Sequence, residues 1–414
     1  MLPQKRGLAY MPGCVMIARG MDALGLQMRL AFMVCAGMLL LAGGAAAQQG
    51  DKAIQKTTIS LGTATPGGGF PLFGNAFAEV MNAADPTLAI EPRNTKGSNE
   101  NIPLLEKGEL DIALVAGEPA NEAFMGLGGR PKTGLKILTA MYSSPGLFVV
   151  RADSPYHTIR DLVGRPVAFG AKGSGLPILS RYVLDGLGLK QDEDFKSIYL
   201  DRAGDGPAMV MDGRAAALWG AGIGWPGFSA VASSASGGRF IAPDADEIAR
   251  IRARHAFLKP LTVPPGSYPG QTAPINSVGS WSFILARQDL PDDLAYRLAR
   301  TLHGIEAAFC AKLAQACETT AANTVAAAPS IELIHPGVLR FFREIGVAKG
   351  GDDDGTAAFG CDCRRRHGRS CDRGGAEAGR DRRHGVRTGA AIRENRRRNP
   401  DRLQRHAGPA RVGP

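Results

Sequence analysis

The chain has 414 residues, with 49 Lys and Arg against 39 Asp and Glu and a formal net charge of +10. The excess sits at the ends: residues 1–47 carry +3 and residues 351–414 carry +7, which leaves 48–350 near neutral. That distribution speaks against a nucleic-acid-binding surface on the central portion, whose 303 positions suffice for one large or two moderate lobes.

In chain order, residues 28–41 place Arg29 ahead of an apolar run, and Ala45, Ala46 and Ala47 supply the small residues of a cleavage site. This is the pattern of a secretory signal, and the run is shorter than the roughly 20 residues a membrane-spanning helix needs. Residues 1–47 are therefore expected to be a cleaved signal peptide with an over-extended start, since Met11, Met16 and Met21 precede Met28. A soluble, periplasmic protein beginning near Gln48 follows. Cys35 lacks the Leu-small-small-Cys context of a lipoprotein.

Through 48–350, short apolar runs alternate with helical periodicities. Strands are expected at 59–61, 88–91, 111–115, 147–150, 167–169, 215–219 and 282–285, and helices at 71–83, 99–107, 176–187 and 245–254. The longest helical pattern is 290–312, where Pro291 stands at the start and Leu294, Leu298, Leu302, Ile305 and Phe309 share a face. The class is α/β with mainly parallel sheets.

Two glycine turns join an apolar strand to a helix, one from Gly62 to Gly69 and one from Gly170 to Gly175. Glycine lets backbone approach a ligand, and the unpaired N–H groups of a helix start attract an anion or carboxylate. The pairing points to two lobes facing one cleft. Between Trp219 and Pro226 a run of glycines and aromatics either walls that cleft or buries its tryptophans in the core. Residues 262–271 hold three prolines and two glycines, which suits a stiff crossover with interlobe packing around Tyr268.

Cys310 and Cys317 are the two cysteines of the central portion. On one continuous helix they would stand roughly 10 Å apart, beyond disulfide reach of about 7 Å, so they bridge only if the helix ends between them. Residues 351–414 contain no Lys, few large apolar residues and arginine runs such as Arg364-Arg365-Arg366. They read as a disordered basic tail or as out-of-frame translation. Cys361, Cys363, His367 and Cys371 match no familiar zinc spacing. Ser174 lacks the Gly-x-Ser-x-Gly context of a hydrolase nucleophile, because position 172 is Lys. No catalytic residue, metal or cofactor is expected, and the chain is not read as an enzyme.

Taken in order, seven segments resemble the solute-binding receptors of TRAP transporters, in the TAXI branch. They are Leu61-Gly62-Thr63 with Pro66-Gly67-Gly68-Gly69-Phe70-Pro71-Leu72; Gly97-Ser98-Asn99-Glu100-Asn101; Gly108-Glu109-Leu110-Asp111-Ile112-Ala113; Arg160-Asp161-Leu162-Val163-Gly164-Arg165-Pro166-Val167; Gly173-Ser174-Gly175; Tyr268-Pro269-Gly270-Gln271; and His335-Pro336-Gly337. The resemblance covers about 57–345. It implies a two-lobed periplasmic-binding-protein fold of the second type, with a hinge between lobes, the second lobe at roughly 152–270 and the chain then returning to the first. It also implies capture of a small carboxylate or a glutamate-like amino acid by a monomer, and delivery to an integral-membrane, ion-gradient-driven TRAP transporter subunit. A ligand sensor docking on a membrane signalling receptor is the alternative.

Carried over position by position, the ligand contacts would be Thr65, Gly68, Gly69, Phe70, Ser98 and Asn99 from the first lobe and Gly173, Ser174 and Gly175 from the second. Ser98 is also placed to cap the helix that follows it. The chain departs from the family at Phe70, where a tyrosine is usual, and at Lys96, Lys172 and Leu176. The two lysines would either clamp a second acidic group or stand in solvent.

Overall fold

A computed structural model describes residues 56–349. The expected signal peptide, the expected tail and its cysteines lie outside the described residues.

Ten strands form the framework: β1 (Thr57–Gly62), β2 (Leu88–Arg93), β3 (Ile112–Val115), β4 (Lys136–Arg151), β5 (Pro166–Ala171), β6 (Lys196–Leu200), β7 (Ala217–Ala221), β8 (Gly238–Ile241), β9 (Lys259–Val263) and β10 (Ile275–Ala286). They follow the path β2-β1-β3-β10-β4-β7-β5-β6, with β8 on β4 and β9 on β10. In the first lobe β1 runs parallel to β2 and β3. In the second, β5 runs parallel to β6 and β7. The pairings made by β4 and β10 are antiparallel, so the sheets are mixed and not mainly parallel as the alternation of elements implies.

Those two long strands join the lobes. The first half of β4 pairs with β10 from Lys136 to Pro145, and the second half pairs with β7 and β8 from Gly146 to Arg151. Reciprocally, β10 pairs with β9 up to Gly279 and with β3 from Phe283 onward. Along β4 every residue from Ile137 to Val150 is buried, which is the pattern of a strand covered on both faces. Its Ser143-Ser144-Pro145-Gly146 stretch reads as a turn in sequence, yet continuous pairing holds it extended.

Each lobe has its own core. Phe73, Phe77 and Phe309 pack in the first, with the Phe73 and Phe309 rings 5.1 Å apart and Tyr142 5.5 Å from Phe73. In the second, Phe148 meets Phe169 and Trp219 on one side of the sheet, while Trp225, Phe228 and Tyr268 pack on the other. Burying one such ring contributes on the order of 2 to 3 kcal/mol. Tyr268 belongs to this second-lobe core: its hydroxyl donates to Gly222 O and accepts from Gly224 N, both at 3.0 Å. It therefore does not pack between the lobes.

The expected helix over 290–312 is two helices, Asp292–Gly304 and Glu306–Lys312, parted at Ile305. Gly304 weakens the continuation, and beyond the break Glu306 accepts from Ala321 N at 3.1 Å. The second helix stops at Lys312 and a 3₁₀ turn, Ala314–Glu318, folds back. This brings the Cys310 and Cys317 Cα atoms to 4.2 Å, and the two are disulfide-bonded.

Candidate functional site

The site is built from strand ends. β1 runs out at Gly62, and after the glycine turn helix α1 (Gly69–Ala84) begins. β2 leads to Gly97 and helix α2 (Ser98–Glu106). β3 is followed directly by helix α3 (Gly117–Met125). From the other lobe, β5 passes through its own turn to helix α4 (Leu176–Gly186). Four helix starts thus converge on one cleft enclosing about 640 Å³ of space, its mouth included.

Of the residues expected at the ligand, Thr65, Gly68, Gly69, Phe70 and Ser98 line the cleft from the first lobe, and Ser174 and Gly175 from the second. Asn99 and Gly173 do not line it. They join the lobes: Asn99 N donates to Gly173 O at 3.0 Å, and its side-chain amide reaches Ser174 O at 3.4 Å. Lys96 and Lys172 are exposed and stand outside the cleft. Ser98 is the first residue of α2, after the N-cap Gly97, so it does not cap that helix. Its hydroxyl instead accepts from Ala116 N at 3.0 Å and ties the start of α2 to the start of α3.

Several lining residues carried no expectation. Glu118, in the first turn of α3, is 1 % exposed. Its Oε1 accepts from Ser280 Oγ of β10 at 2.6 Å. Burial, reinforced by the nearby Glu122 carboxylate, pushes its carboxyl up to about 7, against the opposing bonds from Ser280 and its own N–H. Tyr142 of β4 is 5 % exposed, and a Cβ on Gly69 would lie 3.3 Å from its hydroxyl. Burial raises the Tyr142 phenol as well. Ser144 and Ser282 share a 3.2 Å hydrogen bond across the two joining strands. Leu176, Leu179, Ala203 and Trp225 supply apolar wall, while Trp219 lies in the second-lobe core with its Nε1 donating to Leu176 O at 3.0 Å. Among the described residues no Lys, Arg or His lines the cleft.

One of these was readable in advance. Ala116-Gly117-Glu118 after the apolar 111–115 run is a third strand-to-helix turn with glycine, of the same kind as the two singled out. Tyr142 and Ser144 gave no such signal, because the stretch around them imitates a turn.

The lobes meet around the cleft. A Cβ on Gly67 (φ +83) would lie 2.6 Å from Gly204 Cα, and one on Gly97 (φ +112) 3.0 Å from Ser174 Cα. These backbone approaches and positive φ values exclude larger residues without strain. Ala203 N donates to Thr65 Oγ1 at 3.1 Å. Beyond the cleft, Arg181 and Tyr182 of α4 reach Glu122 of α3 at 2.5 and 3.0 Å. Gln315 donates to Ile223 O at 2.6 Å. Glu318, from the same 3₁₀ turn, accepts from Ser143 N and Oγ and so fixes that turn to β4.

Residues 61–346 match the NMT1-like family. Among solved structures, the chain is similar to a TctC solute binding protein from Polaromonas, at 18% identity and TM-score 0.38, over 64% of this chain and 89% of that one. It is similar to a putative L-cystine ABC transporter protein from Listeria monocytogenes, at 16% identity and TM-score 0.40, over 63% and 94%. It is also similar to the alkanesulfonate-binding protein SsuA from Xanthomonas axonopodis pv. citri bound to MOPS, at 16% identity and TM-score 0.40, over 70% and 83%.

Proposed function

We propose that this chain, which belongs to the NMT1-like family, is a periplasmic solute-binding subunit that captures a small organic acid or amino acid and presents it to a membrane transporter. The observation that carries this reading is the cleft between two lobes joined by β4 and β10, into which four helix starts open. The first N–H groups of a helix have no partner within it, so Gly69 and Phe70 offer donors to a carboxylate without a charged side chain. Binding there bridges both lobes, and the antiparallel joining strands let the lobes part and close as rigid bodies. The order of sequence motifs supports the TAXI branch and a TRAP transporter as the partner.

We assign the solute contacts to Thr65, Gly68, Gly69, Phe70, Ser98, Ser174 and Gly175, with Asn99 and Gly173 acting in closure. A thermal-shift screen of amino acids, monocarboxylates, dicarboxylates and 2-oxo acids tests the reading. Ligand at 100 times its Kd should stabilise the protein by about 2.7 kcal/mol. Small-angle scattering with and without the hit should show compaction. A screen in which no acid raises the melting temperature would remove the proposal.

A further inference from the structure

Among the described residues, the cleft is lined by one carboxylic acid and by no side-chain cation. Glu118 is nine-tenths buried there, and its protein partners beyond its own N–H are limited to the Ser280 hydroxyl on Oε1. Beside it stand Glu122 on its own helix and Ser280 from β10, neither of them a cation. Glu122 is already engaged by Arg181 and Tyr182. The Tyr142 hydroxyl also lines the cleft, has no hydrogen-bond partner among the described residues, and lies close to Gly69, the first residue of α1. The cleft therefore holds donors at the start of α1 and, at the start of α3, a carboxyl group with no cation among the described lining residues to meet it.

We propose that Glu118 is a specificity-determining residue that pairs with an amine on the solute, while Tyr142 and the Gly69 and Phe70 N–H groups hold its carboxylate. The solute is then a monocarboxylate bearing an amine, neutral overall, with an uncharged remainder against Phe70, Leu176 and Trp225. A dicarboxylate is excluded, because its second charge would be buried next to Glu118 with no cation to meet it. The assignment narrows the solute class proposed above and rests on that reading. It also separates the chain from a glutamate-like ligand, and it leaves Lys96 and Lys172 with no second charge to clamp.

The test is calorimetric titration, at pH 8 where Glu118 is ionised, of the twenty protein amino acids, of their counterparts lacking the α-amine (propanoate for L-alanine, 4-methylpentanoate for L-leucine), and of succinate and glutarate. The expected result is that at least one amino acid with an uncharged side chain binds, and that its deaminated counterpart binds about 30-fold or more weakly. E118Q should erase that preference by weakening the amino acid and sparing the deaminated acid. The wild-type comparison stands by itself if E118Q does not fold, and S280A, which frees Oε1, gives a second variant in which the preference should persist. Binding of a diacid or deaminated acid as tight as that of the amino acid overturns the role of Glu118 and leaves the solute-binding reading intact. So does an E118Q protein that keeps the preference. Failure of every acid to bind overturns both.

Discussion

Ser280 Oγ donates a 2.6 Å hydrogen bond to Glu118 Oε1, linking a strand that joins the lobes to the helix start that lines the cleft. A change in the charge of Glu118 would thus act on β10 as well as on the cleft.

The stability of the fold should depend on pH through Glu118. Glu118 is raised from 4.5 to about 7 in the folded chain, so proton uptake favours folding. Its contribution is complete below pH 4.5 and is lost as the pH rises through about 7, a change of about 3 kcal/mol. The stability of ligand-free wild type relative to E118Q should fall by that order between pH 4.5 and 8, read by urea denaturation at each pH. A difference that stays flat across the range would mean that the carboxyl keeps its ordinary affinity for protons.

Closure should be weakened from outside the cleft. Glu122 is 5 % exposed while its partner Arg181 is 55 % exposed, so the pair is half screened by solvent. In Arg181→Ala the carboxylate is left in the interface with Tyr182 alone, and opening the lobes is what rehydrates it. The closed form should lose about 1 to 2 kcal/mol, which appears as a roughly tenfold rise in Kd with no change in which solutes bind. Altered selectivity would place Arg181 at the solute instead.

Gly97→Ala should act more severely and by a different route. The added Cβ meets Ser174 Cα at 3.0 Å across the interface and sits at φ +112. The lobes would be held apart, and solute binding should drop by a hundredfold or more while each lobe keeps its fold, about 1 to 3 kcal/mol of local strain aside. Circular dichroism and scattering separate these effects; an unchanged Kd would show that Gly97 does not set the closed distance.

Reduction of Cys310–Cys317 should cost stability before it costs binding. The bridge closes a short loop, for which chain entropy gives about 2 to 3 kcal/mol. Because that loop carries Gln315 to the second lobe, and Glu318 directly after it holds β4, Cys310→Ser should lower the melting temperature and also loosen closure. Melting curves with and without reductant check the first effect, and scattering the second.

Much of the fold was legible because parallel inner strands are buried on both faces and read as plain apolar runs, as in Ile59-Ser60-Leu61 and Asp111 to Val115. The joining strands were harder. The pairing that keeps Ser143 to Gly146 extended comes from β10 and β7, more than 70 residues away in sequence. Local composition there favours a turn, and tertiary pairing overrides it. The short strands β6, β8 and β9 escaped for a related reason, being partly exposed segments without a continuous apolar run. At the cleft, glycine turns pointed to loops that line it, since close backbone approach demands glycine. They could not say that Asn99 would spend its amide on the opposite lobe, or that Glu118 would be buried without a cation, because both depend on how the lobes meet.

The position of β10 bears on how the chain reaches this state. It inserts between β3 and β4, so the first sheet lacks its middle strand until residue 286 has been made, long after β1 to β4. Until then β3 and β4 present unpaired edges separated by a gap one strand wide, and the second lobe can be assembled first. Such non-local closure is slow, and it delays the first lobe until nearly the whole polypeptide is available.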